Sequence, residues 1–155
     1  MYNLKEGKGT YKGLIGECMF KLTKPHAIVT KFFNKRKYSE IFGGKFSEFE
    51  KDFVDKNWFS IDAIEFDYSI KPRRVVLYEI KTVNEYKNPS PNWGIKMTLS
   101  THQTYNEALK LGFDVKFAIV HLLDNWNYNI EIIDFNKSKY YIDKPKLYDK
   151  NTATF

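Results

Sequence analysis

The chain has 155 residues, of which 43% are apolar and 28% charged, with a net charge of +6 and a pI near 9.2. This length predicts one domain over residues 1–155, and the basic balance mildly favours a polyanionic partner. No apolar run approaches the roughly 20 residues that span a bilayer, and the N-terminal sequence lacks an apolar signal core. We therefore expect a cytoplasmic protein without a membrane partner. The composition is typical of AT-rich microbial or viral coding.

Cysteine and histidine are too scarce for two common kinds of site. Cys18 is the only cysteine, which excludes an internal disulfide, and the chain has three histidines. A four-ligand zinc site or a histidine-rich metal site is therefore not expected.

The first half of the chain is predicted to alternate helix and strand. Helical spacing of apolar residues over 10–23 predicts a first helix, which Lys24-Pro25 ends; these residues are Leu14, Ile15, Cys18, Met19 and Leu22. Residues 27–33 are expected to form a strand, 34–45 a loop and 46–57 a short helix. Residues 58–70 and 74–83 are strand-like, and the turn at Lys71-Pro72-Arg73 makes them a hairpin.

The second half is predicted to contain one helix and two more strands. Residues 85–96 carry Pro89, Pro91 and Gly94 and are expected to form a loop. Residues 100–111 are expected to be helical, with Ser100 and Gln103 as a capping box and Gly112 as the C-terminal stop. Strands are expected over 115–123 and 128–135, and no element from residue 136 onward. The order predicts an α/β fold with a mixed sheet.

Glu79 and Lys81 are placed where chemistry is expected. Side chains alternate along a strand, so both point to the same face as Val75 and Leu77. Two charges at the end of an apolar strand need a partner or a metal if that face is buried, and are an ordinary surface pair if it is exposed. The chain has two other Glu-x-Lys triplets, which begin at Glu6 and Glu85 and lie in polar sequence. Only the middle triplet ends a strong strand and has an acidic residue, Asp62, on the preceding strand.

This residue set suits hydrolysis of a phosphodiester bond. Mg²⁺, or Mn²⁺ in its place, prefers hard oxygen ligands, which Asp62, Glu79 and the backbone carbonyl of Ile80 could supply. Such an ion lowers the pKa of a water and stabilises charge on the phosphate, and Lys81 could orient that water or neutralise the developing charge. Glu65 and Asp67 share a strand with Asp62 and could replace it if the register differs.

The arrangement of Asp62, a hairpin and Glu79-Ile80-Lys81 resembles the PD-(D/E)xK nuclease superfamily over roughly residues 11–135. The resemblance implies a restriction-endonuclease-like core: a helix, a mixed sheet containing the hairpin, and a second helix. It also implies that the Asp and the Glu-x-Lys lie on adjacent strands. One departure is Ile61, because the family often has proline there.

Two more residues match the same superfamily. Many members, including archaeal Holliday-junction resolvases, carry a glutamate on the first core helix, and Glu17 occupies that helix here. A solvated helix carboxylate is the alternative. Leu99-Ser100-Thr101-His102-Gln103 is similar to a segment of virus-type replication and repair nucleases, in which the glutamine opens a helix beside the active site. A cap by Gln103 explains that pattern equally well.

The resemblance implies a metal-dependent DNA endonuclease acting on double-stranded or branched DNA. Basic residues that could contact phosphates are Lys12, Arg36, Lys71, Arg73, Arg74 and Lys96. Three alternatives stay open: a Holliday-junction resolvase, which would be a homodimer; a non-catalytic nucleic-acid-binding protein with a nuclease-like core; and an unrelated α/β protein with a chance triplet.

Overall fold

A computed structural model describes residues 4–84, 96–137 and 141–143 of the chain. Its helices and strands, in chain order, are α1 (Leu4–Thr23), β1 (Ile28–Val29), α2 (Lys35–Phe42), α3 (Glu48–Asn57), β2 (Ala63–Asp67), β3 (Arg74–Asn84), β4 (Lys96–Thr98), α4 (Leu99–Lys110), β5 (Asp114–Leu122), β6 (Tyr128–Asp134) and β7 (Tyr141–Asp143). Short 3-10 turns join several of them. No helix in the described part of the chain is long and apolar enough to cross a membrane.

The main sheet has five strands in the order β1-β2-β3-β5-β6. Strands β2 and β3 form the predicted antiparallel hairpin, with Ala63 opposite Tyr78. Strands β3 and β5 run parallel, which requires a crossover connection, and α4 lies within that connection. Strands β4 and β7 form a separate parallel pair. The expected α/β fold with a mixed sheet is confirmed.

Helices cover both faces of the sheet, because alternate strand residues are buried on opposite sides. On one face, strand residues such as Ile64 and Leu77 pack with Phe53 of α3 and Ala108 of α4. On the other face, Ala63, Tyr78 and Ala118 pack with Phe20 of α1. The ring of Phe20 meets that of Tyr78 edge-on at 5.0 Å between centroids.

Helix α1 approaches β3 closely at a glycine. A Cβ on Gly16 would overlap the hydroxyl oxygen of Thr82 and lie 3.0 Å from the Thr82 Cβ. A Cβ on Gly13, one turn earlier, would meet nothing within 4 Å. The absence of a side chain at position 16 therefore lets the helix rest on the strand.

The buried side of α1 differs from the predicted one. The apolar spacing placed Leu14, Cys18 and Leu22 toward the core, yet all three are exposed, Leu22 to 69%. Instead, Gly16, Glu17 and Phe20 face the sheet. The prediction missed this because a glycine and a carboxylate carry no apolar signal. The helix also begins earlier than predicted, so Glu6 and Lys8 lie in helical rather than irregular sequence.

Residues 34–45, predicted as a loop, form α2 and a 3-10 turn. The Asn34 side chain accepts a hydrogen bond from the Arg36 amide and caps the helix. Tyr38 then buries its ring 4.2 Å from that of Trp58. The predicted strand over 27–33 was also too long, since only Ile28–Val29 is extended. Beyond it, Thr30 turns and donates its hydroxyl to the Ile61 carbonyl at 2.6 Å.

The remaining differences concern ends of elements. Residues 58–60 form a 3-10 turn, so the predicted strand over 58–70 is limited to β2. Helix α4 is capped by Thr98, whose side chain accepts from the Thr101 amide, so the Ser100–Gln103 capping box was wrong. Gly112 follows α4 with a φ of 98°, as predicted for its stop. The predicted loop at 85–95, with Pro89 and Pro91, lies outside the described residues, and β4 and β7 were not predicted.

Candidate functional site

The β2–β3 hairpin brings the carboxyl groups of Asp62 and Glu79 together. Asp62 lies immediately before β2, where its amide donates to the Tyr78 carbonyl at 3.2 Å. The Ile80 amide in turn donates to Asp62 Oδ2 at 2.8 Å. Continuing the hairpin register by one residue from the Ala63–Tyr78 pair sets Asp62 opposite Glu79. Backbone pairing and this side-chain hydrogen bond therefore hold Asp62 in place.

The side chains of Asp62 and Glu79 lie close enough for the charge of one to act on the other. Burial, followed by the nearby charge of Glu79, raises the pKa of Asp62 to about 8. The Ile80 amide and the charge of Lys81 act in the opposite direction without reversing the shift. Without a cation, the pair therefore retains a proton at neutral pH, since two carboxylates held this closely disfavour a second negative charge.

Lys81 lies beside the same pair. Its Nζ is 3.2 Å from Glu79 Oε2, and its side chain is 31% exposed. The prediction that strand alternation places Glu79 and Lys81 on one face is confirmed. Because Glu79 is only 8% exposed, the two residues are not an ordinary surface pair. Lys81 lies between the buried carboxyl group and solvent.

Tyr105 of α4 contacts Glu79 from the opposite side. Its fully buried hydroxyl lies 3.0 Å from Glu79 Oε1 and 3.1 Å from the Tyr78 carbonyl oxygen, with the tyrosine as donor. The sequence interpretation did not select Tyr105. A signal did exist, because a tyrosine on the buried face of a helix must find a partner for its hydroxyl.

Glu17 is buried rather than solvated, with 4% of its surface exposed. Its Oε1 accepts a hydrogen bond from Lys31 Nζ at 3.1 Å, whereas its Oε2 is buried without a partner among the described residues. Burial raises the pKa of Glu17 above its ordinary value; Lys31 opposes this shift, and the charge of Asp62 adds to it. The charge of Asp62 therefore acts on Glu17, and a role for Glu17 in the site stays a prediction. Lys31 was not predicted.

The oxygen atoms of this site suit a hard divalent cation. Asp62 and Glu79 present carboxylate oxygens that repel each other when both are charged, and Glu17 adds an oxygen without a partner. Within the described ranges, no group of three or more Asp, Glu, His or Cys is arranged to hold a metal. Binding of a cation by the Asp62–Glu79 pair, and ligation by the Ile80 carbonyl, therefore stay predictions.

The two acidic alternatives to Asp62 are engaged elsewhere. Glu65 accepts the Tyr78 hydroxyl at 2.6 Å and forms an ion pair with Lys24 at 3.4 Å. Asp67 accepts from the amide and hydroxyl of Ser69. Neither contacts Glu79, so the register favours Asp62.

Gln103 is not brought to the carboxyl groups. It is exposed on α4, and it precedes the inward-facing Tyr105 by two residues, or about 200° around the helix. It borders a shallow surface depression with Leu99 and His102. A role for Gln103 at the site would require the helix to present a different face.

The basic residues predicted to contact phosphates are placed in different ways. Lys12, Arg36, Lys71 and Arg74 are exposed, and Arg36 also lies 3.6 Å from Glu40. Arg73 instead donates to both oxygens of Glu50 and to a backbone carbonyl. The side chain of Lys96 lies outside the described residues. Phosphate contacts by these residues stay predictions.

Comparison with protein-family models, curated proteins and solved structures found no significant match to this chain.

Proposed function

We propose that this protein is a divalent-metal-dependent nuclease that hydrolyses phosphodiester bonds in DNA, acting as an endonuclease. The observation that carries the proposal is the position of Asp62 opposite Glu79 on the hairpin, with Lys81 3.2 Å from Glu79. Holding a half-buried carboxyl group against a buried one is costly unless a proton or a cation reduces their repulsion. A binding site for a cation accounts for that arrangement.

The chain's own residues have separable roles in this proposal. Asp62 and Glu79 would hold Mg²⁺ or Mn²⁺, which supplies positive charge against the phosphate and activates a water. Lys81 would neutralise negative charge that develops on the phosphate. Tyr105 and the Ile80 amide are positioning groups, because each fixes one carboxyl group by a hydrogen bond.

The order of elements also supports the proposal. A first helix, a mixed sheet with a hairpin and a second helix occur in the order expected for a restriction-endonuclease-like core. Asp62 immediately precedes β2, and the Glu-x-Lys triplet lies within the adjacent strand β3. Membership of the PD-(D/E)xK superfamily is therefore part of the proposal.

The test is cleavage of supercoiled plasmid, linear duplex, four-way junction and RNA with Mg²⁺ or Mn²⁺. We expect metal-dependent cleavage of DNA, with Glu79→Gln and Lys81→Ala each reducing the rate by about 10²-fold or more. Glu65→Gln and Lys24→Ala are matched controls, because this pair lies on the other face of the hairpin. The site assignment would be overturned if the Glu79 and Lys81 variants still cleaved DNA at the wild-type rate. It would also be overturned if the two control variants lost as much activity as they do. Selective cleavage of the junction would favour a resolvase.

A further inference from the structure

Two exposed phenylalanines lie in the turns that adjoin Asp62. Phe59 is 90% exposed and lies three residues before Asp62, in the 3-10 turn Trp58–Ser60. Phe32 is 41% exposed and ends the turn that follows β1. The two turns are neighbours, because the Thr30 amide donates to the Asp62 carbonyl at 3.0 Å. The Cα atom of Phe59 therefore lies within about 11 Å of that of Asp62, and Phe32 is two residues from the Thr30 that bonds to Asp62.

The turn that carries Phe59 is anchored on both sides. Trp58 is 3% exposed and Ile61 is 1% exposed, and the Ile61 amide donates to the Trp58 carbonyl. The turn is thus fixed to the core while Phe59 projects from it. A phenylalanine ring left in water forgoes its burial energy, and two such rings on adjoining turns offer an apolar surface to a partner.

Positive charge accompanies these rings. Lys31 lies between Thr30 and Phe32, and its side chain is 65% exposed while its Nζ contacts Glu17. Helix α2 begins three residues after Phe32 and exposes Lys35, Arg36 and Lys37 in its first turn. Aromatic rings beside lysines and arginines suit a ligand that has flat bases and anionic phosphates.

We propose that Phe59 and Phe32 form a stacking surface for unpaired bases, so that nucleic acid reaches Asp62 and Glu79 as a single strand or at a branch point. This inference rests on the proposed nuclease function and specifies its substrate. In an intact duplex the base faces are already stacked on each other, so a projecting phenylalanine has nothing to stack on. An unpaired base offers that face, and the adjacent cations attract its phosphates.

The test is binding of a fluorescent 12-nucleotide single strand and of the same sequence as a duplex, in a Glu79→Gln background that prevents cleavage. We expect Phe59→Ala to weaken single-strand binding about tenfold and duplex binding less than twofold. Phe59→Trp should retain the affinity for the single strand. Binding of the strand should quench the fluorescence of the introduced tryptophan. Tyr68→Ala is the matched control, because Tyr68 is 62% exposed but follows the far end of β2.

The outcomes separate the two proposals. If Phe59→Ala behaves like Tyr68→Ala, or weakens duplex and single-strand binding equally, the stacking surface is overturned while metal-dependent cleavage by the wild type still supports the nuclease. If the wild type neither binds nor cleaves any nucleic acid, the proposed function fails and the stacking surface fails with it. In that case the exposed rings indicate a protein partner instead.

Discussion

The Tyr105 hydroxyl donates to Glu79 Oε1 at 3.0 Å and thereby joins α4 directly to the carboxyl site on β3. The same hydroxyl lies 3.1 Å from the Tyr78 carbonyl oxygen, so the tyrosine is fixed to both the side chain and the backbone of the strand. The crossover helix thus holds Glu79 on the side opposite Lys81. The position of Glu79 therefore depends on α4 as well as on the hairpin.

Tyr105→Phe should lower cleavage about tenfold and destabilise the fold by about 1–2 kcal/mol, because Glu79 loses a buried hydrogen bond. Plasmid cleavage rates and urea unfolding would measure both effects. Tyr38→Phe is the matched control, since the Tyr38 hydroxyl is also buried but has no partner in the described part of the chain. Its removal should be neutral or stabilising. Equal losses in the two variants would contradict a positioning role for Tyr105.

The stability of the metal-free protein should fall as the pH rises from about 5 to 8.5. The pKa of Asp62 is raised to about 8 in the folded state, whereas the same side chain in an unfolded chain has a pKa of about 4. The folded state therefore binds more protons in this window, and the free energy of unfolding decreases with pH. Thermal unfolding in EDTA would measure the slope.

Asp62→Asn should remove most of that slope and raise the midpoint at pH 8, since its amide can donate to Glu79 without a charge. Asp67→Asn is the control. The pKa of Asp67 is lowered by hydrogen bonds from Ser69, so its contribution to the pH dependence falls below this window. An unchanged slope in Asp62→Asn would show that another group carries the titration.

Glu17→Gln should weaken Mn²⁺ binding roughly tenfold while the protein stays folded. The oxygen without a partner on Glu17 and its electrostatic coupling to Asp62 indicate that its charge supports a bound cation. The increase in thermal midpoint with Mn²⁺ concentration would report the affinity. Glu65→Gln should respond to Mn²⁺ like the wild type. If Glu17→Gln also responds to Mn²⁺ like the wild type, Glu17 serves only to form its ion pair with Lys31.

Arg73→Ala should destabilise the fold by about 1–3 kcal/mol, with little effect on DNA affinity. Arg73 donates to both oxygens of Glu50, at 2.9 and 3.3 Å, and to the Lys45 carbonyl at 2.7 Å. The exposed Arg74 is the neighbouring comparison, since Arg74→Ala should leave stability within about 0.5 kcal/mol. Urea unfolding and the salt dependence of DNA binding would separate the two. A large loss of affinity in Arg73→Ala alone would contradict this assignment.

Strand alternation and turn residues were sufficient to predict the hairpin and the shared face of Glu79 and Lys81, because these depend on neighbours along the chain. Asp62 was predicted from its apolar flanks, although it precedes β2 rather than lying within it. Tyr105 and the burial of Glu17 depend on how helices pack against the sheet, and local sequence does not encode that. Helix α2 was missed because its Asn34 cap was interpreted as part of a polar loop.

The approach of α1 to β3 makes the chemistry depend on a residue that has no side chain. Gly16→Ala adds one methyl group against Thr82, whose hydroxyl can rotate away but whose Cβ, at 3.0 Å, cannot. We expect a loss of about 1–3 kcal/mol and a displaced Glu17, hence slower cleavage. Gly13→Ala, on the same helix with nothing within 4 Å, should be neutral or stabilising by up to about 1 kcal/mol. The missing side chain at position 16 thus sets how closely the turn of α1 that carries Glu17 approaches β3.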